Sequence, residues 1–224
     1  MKSETIINNR KNLAIVILVG GKSYRSGTEK VGLFFKGKPL LLHQIETLVK
    51  FKKDLFLTAN SEEQAHFFKK DFDIPDYVKF IVDNRELFPY SGIFTPMLGV
   101  YSSLKELNDL EYEKAFILSG DAPLIKKAVI ELLITESNEY DCTIPKWNNE
   151  FLEPLFAIYP VKQGYQRAKE CLINKNFSLN RLIDTNWKIN YLSVEETIKP
   201  LDNNLVSLIN VNGPIDIEKL MKFY

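Results

Sequence analysis

Residues 13 to 30 read Leu-Ala-Ile-Val-Ile-Leu-Val-Gly-Gly-Lys-Ser-Tyr-Arg-Ser-Gly-Thr-Glu-Lys. An apolar run that leads directly into glycine predicts a buried strand ending at one edge of a sheet. Gly20 and Gly21 have no Cβ, so their backbone N–H groups can approach a ligand closely and form an anion-binding concavity. Arg25 and Lys30 add positive charge, and the arginine can grip two phosphate oxygens at once. The stretch therefore predicts a polyphosphate site, although a glycine turn with solvated charges would look similar in isolation.

Two common phosphate motifs are excluded by the spacing of this loop. A P-loop needs Gly-Lys-Ser/Thr at its end, whereas Gly27 is followed by Thr28 and Glu29. The dinucleotide fingerprint needs G-x-G-x-x-G, which Gly20, Gly21 and Gly27 do not supply.

The rest of the chain alternates short apolar runs with amphipathic stretches, which predicts a three-layer α/β domain with a mainly parallel sheet and helices on both faces. The predicted strands are Leu13–Val19, Asp54–Ala59, Val78–Val82, Lys114–Leu118, Asp141–Pro145, Pro154–Tyr159, Ile189–Ser193 and Val206–Asn210. The predicted helices are Pro39–Phe51, Ser61–Asp71, Pro96–Leu107, Pro123–Ser137, Pro160–Asn174, Ser178–Thr185 and Pro214–Tyr224. We expect residues 1–11 to be a flexible N-terminus and residues 12–224 to form a single domain.

Composition narrows the partners that the protein can have. The chain has 224 residues, with 29 basic and 29 acidic side chains, so no overall field attracts nucleic acid or an anionic membrane. Its N-terminus carries no apolar signal segment, and no run is long enough to span a bilayer, which predicts a cytoplasmic protein. Cys142 and Cys171 give neither a disulfide framework nor a zinc spacing.

Polar residues follow several of the predicted strands, and such positions share one edge of an open α/β sheet. Ser119-Gly120-Asp121-Ala122-Pro123 is the strongest of these segments. A carboxylate at a strand end that faces a phosphate loop suits Mg²⁺, which takes one or two carboxylates together with phosphate oxygens and water. The alternative is that Asp121 caps a helix beginning near Pro123.

Asn210-Val211-Asn212 forms another such segment, in which two amides on alternate positions of a strand would share a face. Those amides are candidates for the metal or phosphate shell, whereas Asn-Gly-Pro at 212–214 is also ordinary turn chemistry.

The Gly20–Lys30 loop resembles G-G-x-S-x-R-M-G-x-D-K, the signature of the molybdenum cofactor guanylyltransferases within the Rossmann-like nucleotidyltransferases. Ser26, Glu29 and Val19 depart from the pattern, which has Met, Asp and Ala there. Further matches are the Gly-Asp-x-Pro segment at Asp121, Asn210-Val211-Asn212 with Gly213 in place of Thr, and Glu153-Pro154-Leu155, which in the family lies on the acceptor side. The simpler reading of Glu153 is that it lies at the mouth of an ordinary core strand.

This resemblance implies a Mg²⁺-dependent transfer of GMP from GTP to the molybdopterin form of the molybdenum cofactor, with release of pyrophosphate. Arg25, Lys30 and Asp121 would be catalytic, with Asp121 holding the metal. The nucleotide would be bound by Leu18, Val19, Gly20, Gly21, Lys30, Thr58, Asn60, Asp83 and Asp121, with Asp83 facing the guanine donors. Transient contact with proteins that make or accept the cofactor would follow. The alternatives are a relative that uses CTP or GTP with another phosphorylated acceptor, and a nucleotide-binding module without catalysis.

Overall fold

The apolar run after Asn12 forms the centre of a large sheet. The computed structural model, which describes residues 11–20, 33–86 and 95–222, places Lys11–Leu18 in a strand that is hydrogen-bonded to a parallel neighbour on each side. Every residue from Leu13 to Val19 is at most 9% exposed. Burial on both faces is typical of a central strand in a sheet that helices cover on both sides.

The strands among the described residues are β1 Lys11–Leu18, β2 Phe34–Phe35, β3 Lys38–Pro39, β4 Leu55–Ala59, β5 Lys79–Val82, β6 Tyr112–Ser119, β7 Cys142–Lys146, β8 Phe156–Pro160 and β9 Ile189–Ser193. The α-helices are α1 Leu40–Leu48, α2 Glu62–Asp71, α3 Pro96–Asp109, α4 Lys127–Glu136, α5 Val161–Ile173 and α6 Pro214–Met221. Shorter 3₁₀ turns occupy Val49–Phe51, Leu179–Leu182 and Val206–Leu208, and a π turn occupies Val194–Ile198. None of the helices described is long and apolar enough to cross a bilayer.

The sheet has seven described strands in the order β5-β4-β1-β6-β8-β7-β9. The first four are parallel to one another, β8 is antiparallel to both β6 and β7, and β9 is parallel to β7. The predicted fold class, a three-layer Rossmann-like domain with a mainly parallel mixed sheet, is confirmed. The carboxyl ends of β4, β1 and β6 consequently meet at one edge, beside the start of β8.

Apolar side chains pack on both faces of this sheet. Leu41 of α1, Phe68 of α2 and Ile130 of α4 belong to the core on one face, and Leu104 of α3 and Leu172 of α5 belong to the core on the other. A third, smaller cluster joins the β2–β3 hairpin, the segment after β6 and α6 through Phe35, Leu40, Leu124, Val206, Val211 and Leu220.

The prediction of a helix over Pro123–Ser137 is wrong at its start, because α4 begins only at Lys127. Leu124 and Ile125 are both buried, but in different clusters, so the segment packs in two directions instead of coiling. The backbone N–H of Lys126 also donates to Ser207 Oγ at 2.9 Å.

The predicted strand Val206–Asn210 is a 3₁₀ turn over Val206–Leu208. Leu205 adopts a left-handed conformation with φ 50°, and the buried Asp202 carboxylate accepts a hydrogen bond from the N–H of Ser207 at 2.8 Å. Local side-chain to backbone bonding of this kind competes with strand pairing.

The predicted helix Ser178–Thr185 is reduced to the 3₁₀ turn Leu179–Leu182. Ile183 is extended, and Asp184 Oδ1 accepts a hydrogen bond from the N–H of Asn186 at 2.9 Å, which forms a new turn.

Candidate active site at the sheet edge

The predicted convergence of strand ends is present among the described residues. The N–H groups of Val19 and Gly20 both donate to the carbonyl of Thr58, at 3.0 and 3.1 Å, which ties the end of β1 to the end of β4. The N–H of Gly120 donates to the carbonyl of Leu18 at 2.9 Å, which ties the end of β6 to the same place. The residues after three neighbouring strands therefore form one continuous edge.

Asp121 lies at the centre of this edge and is half-buried. The hydroxyl of Ser119 donates to Asp121 Oδ1 at 2.5 Å, which orients the carboxylate. The N–H of Val211 donates to the Asp121 carbonyl at 2.7 Å, so the segment that carries Asn210 and Asn212 lies beside it. The alternative role as a helix cap does not hold, because the N-cap of α4 is Lys126.

The oxygen donors around Asp121 fit a hard divalent cation. Asn210 and Asn212 are exposed on either side of the buried Val211, so their amides lie on the solvent side of this segment. The described residues contain no group of three or more His, Cys, Asp or Glu that could hold a metal by themselves. A cation here would therefore need oxygens from a substrate, and Mg²⁺ at nucleotide sites is usually bound in that way.

Gln44 of α1 bonds to the Asp121 segment from the protein interior. It is fully buried, and its side-chain amide donates to the carbonyls of Ser119 and Ala122 at 2.9 and 3.2 Å. These two carbonyls flank Gly120 and Asp121 on both sides, so one side chain fixes the turn that carries the carboxylate. Gln44 Oε1 is buried without a hydrogen-bond partner among the described residues.

Asp83 follows β5 at the same edge. Its N–H donates to the carbonyl of Ala59 at 2.9 Å, and no described residue donates a hydrogen bond to its carboxylate. A Cβ added to Gly99 of α3 would lie 3.7 Å from Asp83 Oδ1 and 3.5 Å from a methyl group of Leu18, so the helix approaches closely. Burial raises the pKa of Asp83 to about 7, and nearby Arg85 opposes this rise.

Three of the predicted nucleotide-binding residues have their side chains inside the protein. Leu18 packs in the core on the α3 side and Val19 in the core on the α1 side. Thr58 is 1% exposed, and its hydroxyl shares a 2.7 Å hydrogen bond with Ser103 Oγ. Asn60 is partly exposed beside Gly20, where an added Cβ would lie 3.3 Å from the Asn60 backbone nitrogen. Gly21, Arg25 and Lys30 lie outside the described residues.

Comparison with known proteins identifies the family. The family model described as the MobA-like NTP transferase domain matches residues 15–186. The chain belongs to this family. The nucleotidyltransferase is also 30% identical, over 95% of its length and 96% of the relative, to a probable molybdenum cofactor guanylyltransferase of Natranaerobius thermophilus. A protein of the same name from Thermococcus gammatolerans is 32% identical, with 92% and 97% of the two chains covered.

Among solved structures, the nucleotidyltransferase resembles molybdopterin-guanine dinucleotide biosynthesis protein A from Archaeoglobus fulgidus. The TM-score is 0.73, the identity is 22%, and the match covers 94% of this chain and 97% of the other. At this identity the likeness concerns the fold, which agrees with the mixed sheet described above.

Gln44 and Gln64 of the nucleotidyltransferase fix the backbone of the site through hydrogen bonds. The sequence alone does not predict this role for either residue. The spacing of Ser61 and Gln64 predicts a capping box, and Ser61 Oγ does accept from the Gln64 N–H at 3.2 Å. The Gln64 side chain reaches further than the box requires, because its Oε1 accepts from the Asn60 N–H at 2.7 Å and its Nε2 donates to the Val19 carbonyl at 3.4 Å. A buried glutamine near a helix start was the available signal, but its partners come from distant strands.

Proposed function

We propose that this nucleotidyltransferase transfers GMP from GTP to the molybdopterin form of the molybdenum cofactor and releases pyrophosphate. The observation that carries the proposal is the Asp121 carboxylate, oriented by Ser119 at an edge where the ends of β1, β4 and β6 are hydrogen-bonded together. The names of the relatives that match nearly the whole chain support guanine as the base and the molybdenum cofactor as the acceptor.

In the proposed reaction an oxygen of the acceptor's terminal phosphate attacks the α-phosphorus of GTP. A new P–O bond forms, the bond from the α-phosphorus to the β-phosphate oxygen breaks, and that electron pair leaves with pyrophosphate. The acceptor phosphate is already ionised, so no general base is needed. The protein contributes positioning and charge neutralisation, which dominate catalysis of phosphoryl transfer.

Each part of the proposed site has a separate task. Arg25 and Lys30 neutralise the triphosphate and the leaving pyrophosphate, the arginine through a bidentate grip. Asp121 holds Mg²⁺, with Asn210 and Asn212 completing the oxygen shell around the metal or the phosphates. When bound, the metal neutralises phosphate charge during the transfer.

We propose that Asp83 recognises guanine by accepting hydrogen bonds from it. Guanine presents a ring N–H and an amine as adjacent donors, which an ionised carboxylate can accept. Adenine offers an acceptor at the ring position, so the carboxylate would be left unpaired against it. Close approach of the nucleotide to the backbone at Gly20, with Asn60 next to it, would place the nucleotide against the ends of β1 and β4.

The test is a nucleotide panel with the purified chain and molybdopterin. GTP, CTP and ATP are each supplied with Mg²⁺, and both pyrophosphate and the dinucleotide product are measured, with an EDTA-treated reaction alongside. Dinucleotide formation with GTP alone is the expected result. Faster reaction with CTP would replace the proposal by a cytidylyltransferase, and nucleotide binding without any pyrophosphate release would replace it by a non-catalytic module.

A further inference from the structure

The C-terminal segment, residues 202–212, is hydrogen-bonded to both ends of the segment that follows β6. The N–H of Val211 donates to the Asp121 carbonyl at 2.7 Å. At the other end, the N–H of Lys126 donates to Ser207 Oγ at 2.9 Å. Because there are two points of attachment, the C-terminal segment has a fixed direction across the sheet edge.

Apolar packing joins the same two segments. Leu124, Val206 and Val211 are each at most 8% exposed and belong to one cluster. Asn210 and Asn212 flank Val211 in sequence, and both are exposed. The buried Val211 side chain therefore decides which side of the segment faces solvent. The position of the two amides relative to the proposed metal ligand depends in turn on how the C-terminal segment is held.

Asp202 holds the start of this segment at a cost in stability. It is 2% exposed, and its carboxylate accepts a hydrogen bond from the N–H of Ser207 at 2.8 Å. Buried carboxylates are normally paired with a cation, but none of the ion pairs among the described residues includes Asp202. Leu205 in the same turn has φ 50°, in the left-handed region that leucine rarely adopts. Two unfavourable features in one turn indicate that the turn serves a purpose other than stability of the fold.

We propose that Asp202 is a positioning residue for the proposed metal site. It fixes the backbone of Ser207, and Ser207 Oγ in turn fixes the end of the segment that carries Asp121. Loss of the Asp202 carboxylate releases the C-terminal segment, so the amides of Asn210 and Asn212 are no longer preorganised beside the Asp121 carboxylate. The inference rests on the metal site of the proposed function, because that function supplies the cation and the phosphates for these groups.

Binding of Mn²⁺ in the presence of GTP tests the proposal without the acceptor, so that no transfer takes place. Mn²⁺ takes the same oxygen ligands as Mg²⁺, and the loss of its free signal in electron paramagnetic resonance measures binding. Asp202→Ala removes the hydrogen-bond acceptor, and we expect it to raise the dissociation constant of Mn²⁺ about tenfold. Asp202→Asn keeps an acceptor oxygen in nearly the same shape and should stay within about threefold of wild type.

Two further variants separate positioning from stability. Ser207→Ala removes the oxygen that accepts from Lys126 and should raise the Mn²⁺ dissociation constant by a smaller factor. Combined with Asp202→Ala it should add little, because the two side chains act through the same contact. Asp184→Ala is the matched control, since Asp184 also accepts from a backbone N–H in a turn, that of Asn186 at 2.9 Å. This turn precedes the amino end of β9, at the opposite edge of the sheet, so Mn²⁺ binding should not change.

A Mn²⁺ dissociation constant for Asp202→Ala within about twofold of wild type would refute the assignment, as would an equal loss of Mn²⁺ binding in Asp184→Ala. If Asp202→Ala does not fold, Ser207→Ala decides: weaker Mn²⁺ binding supports the assignment, and unchanged binding refutes it. A wild type that binds Mn²⁺ with GTP but forms no dinucleotide with molybdopterin would refute the proposed function and leave the assignment of Asp202 standing. A wild type that binds no Mn²⁺ in the presence of GTP would refute both.

Discussion

Replacing Asp83 by Asn should make the free protein more stable above pH 7 while weakening its binding of GTP. The half-buried carboxylate lies next to Gly99 of α3, and no described residue donates a hydrogen bond to it. Its pKa is raised from 3.8 to about 7. Asn has nearly the same shape and no charge, so the substitution removes the cost of ionising a buried group without opening a cavity.

The sign and size of the effect follow from this raised pKa. Below pH 3.8 the carboxyl is protonated in both the folded and the unfolded state, and ionisation costs nothing. Between pH 3.8 and about 7 the unfolded chain ionises first, so the stability of the wild type falls as the pH rises. A tenfold change in an ionisation constant corresponds to about 1.36 kcal/mol, so the rise in the pKa of Asp83 corresponds to ~4 kcal/mol above pH 7. Because Asp83 is only half-buried, solvent screening reduces the expected gain for Asp83→Asn to about 2 to 4 kcal/mol.

Urea denaturation of wild type and Asp83→Asn at pH 4 and pH 8 measures this gain. The two proteins should unfold at similar urea concentrations at pH 4, and the variant should be clearly more resistant at pH 8. Asp54→Asn is the control of opposite sign, because hydrogen bonds from Tyr112 and Lys79 lower the pKa of Asp54. It should therefore destabilise the protein at pH 8. An Asp83→Asn variant less stable than wild type at pH 8 would refute the reasoning.

The same variant tests recognition of the base. If only the ionised carboxylate accepts the guanine donors, the dissociation constant of wild type for GTP should rise about tenfold between pH 8 and pH 6. Asp83→Asn should bind GTP weakly at both values and lose this difference, which titration calorimetry with GTP in Mg²⁺ can measure. A variant with unchanged affinity and an unchanged preference for GTP over ATP would remove Asp83 from base recognition.

The remaining predictions concern catalysis and support. Asp121→Asn should lower kcat by about 100-fold or more with an unchanged circular dichroism spectrum, since loss of one preorganised charge contact costs ~3 kcal/mol in the transition state; near-wild-type pyrophosphate release at saturating Mg²⁺ would contradict the metal assignment. Lys30→Ala and Arg25→Ala should each impair turnover. Arg25→Lys should remain impaired, because an ammonium group cannot bind two phosphate oxygens at once. Equal steady-state rates for Arg25→Lys and wild type would mean that Arg25 is only a solvated surface charge. Gln44→Met should lower the free energy of unfolding by about 1 to 3 kcal/mol and also reduce kcat, because the carbonyls beside Asp121 lose their buried donor; an unchanged urea midpoint would show that they are solvated.

The sheet and the edge at which the ends of β1, β4 and β6 converge were predictable from the sequence because they depend on local patterns. The run Leu13 to Val19 is apolar on both faces, and that is the signature of a central parallel strand. Asp121 directly follows a run of the same kind in β6, so its place at the carboxyl edge followed from the chain alone.

The start of α4 and the conformation of residues 206–210 were not predictable in the same way, because contacts distant in sequence decide them. Leu124 is drawn into a cluster with Val206 and Val211, about eighty residues further along the chain, and the N–H of Lys126 bonds to Ser207. No local propensity reports such pairings, and tertiary packing overrides a proline that would otherwise open a helix. The C-terminal segment nevertheless reaches Asp121, through the backbone of Val211.

The residues that fix the geometry around Asp121 differ in kind from the residue proposed to recognise the base. Gln44, Ser119 and the backbone of Val211 hold the Asp121 segment, and none of them changes its charge between pH 5 and 9. Asp83, in contrast, is a carboxyl with a raised pKa, and no described residue donates a hydrogen bond to it. A change of pH near neutrality should therefore alter recognition of the base before it alters the geometry of the phosphate chemistry. We therefore expect the KM for GTP to change with pH, whereas kcat should stay nearly constant at saturating concentrations of both substrates.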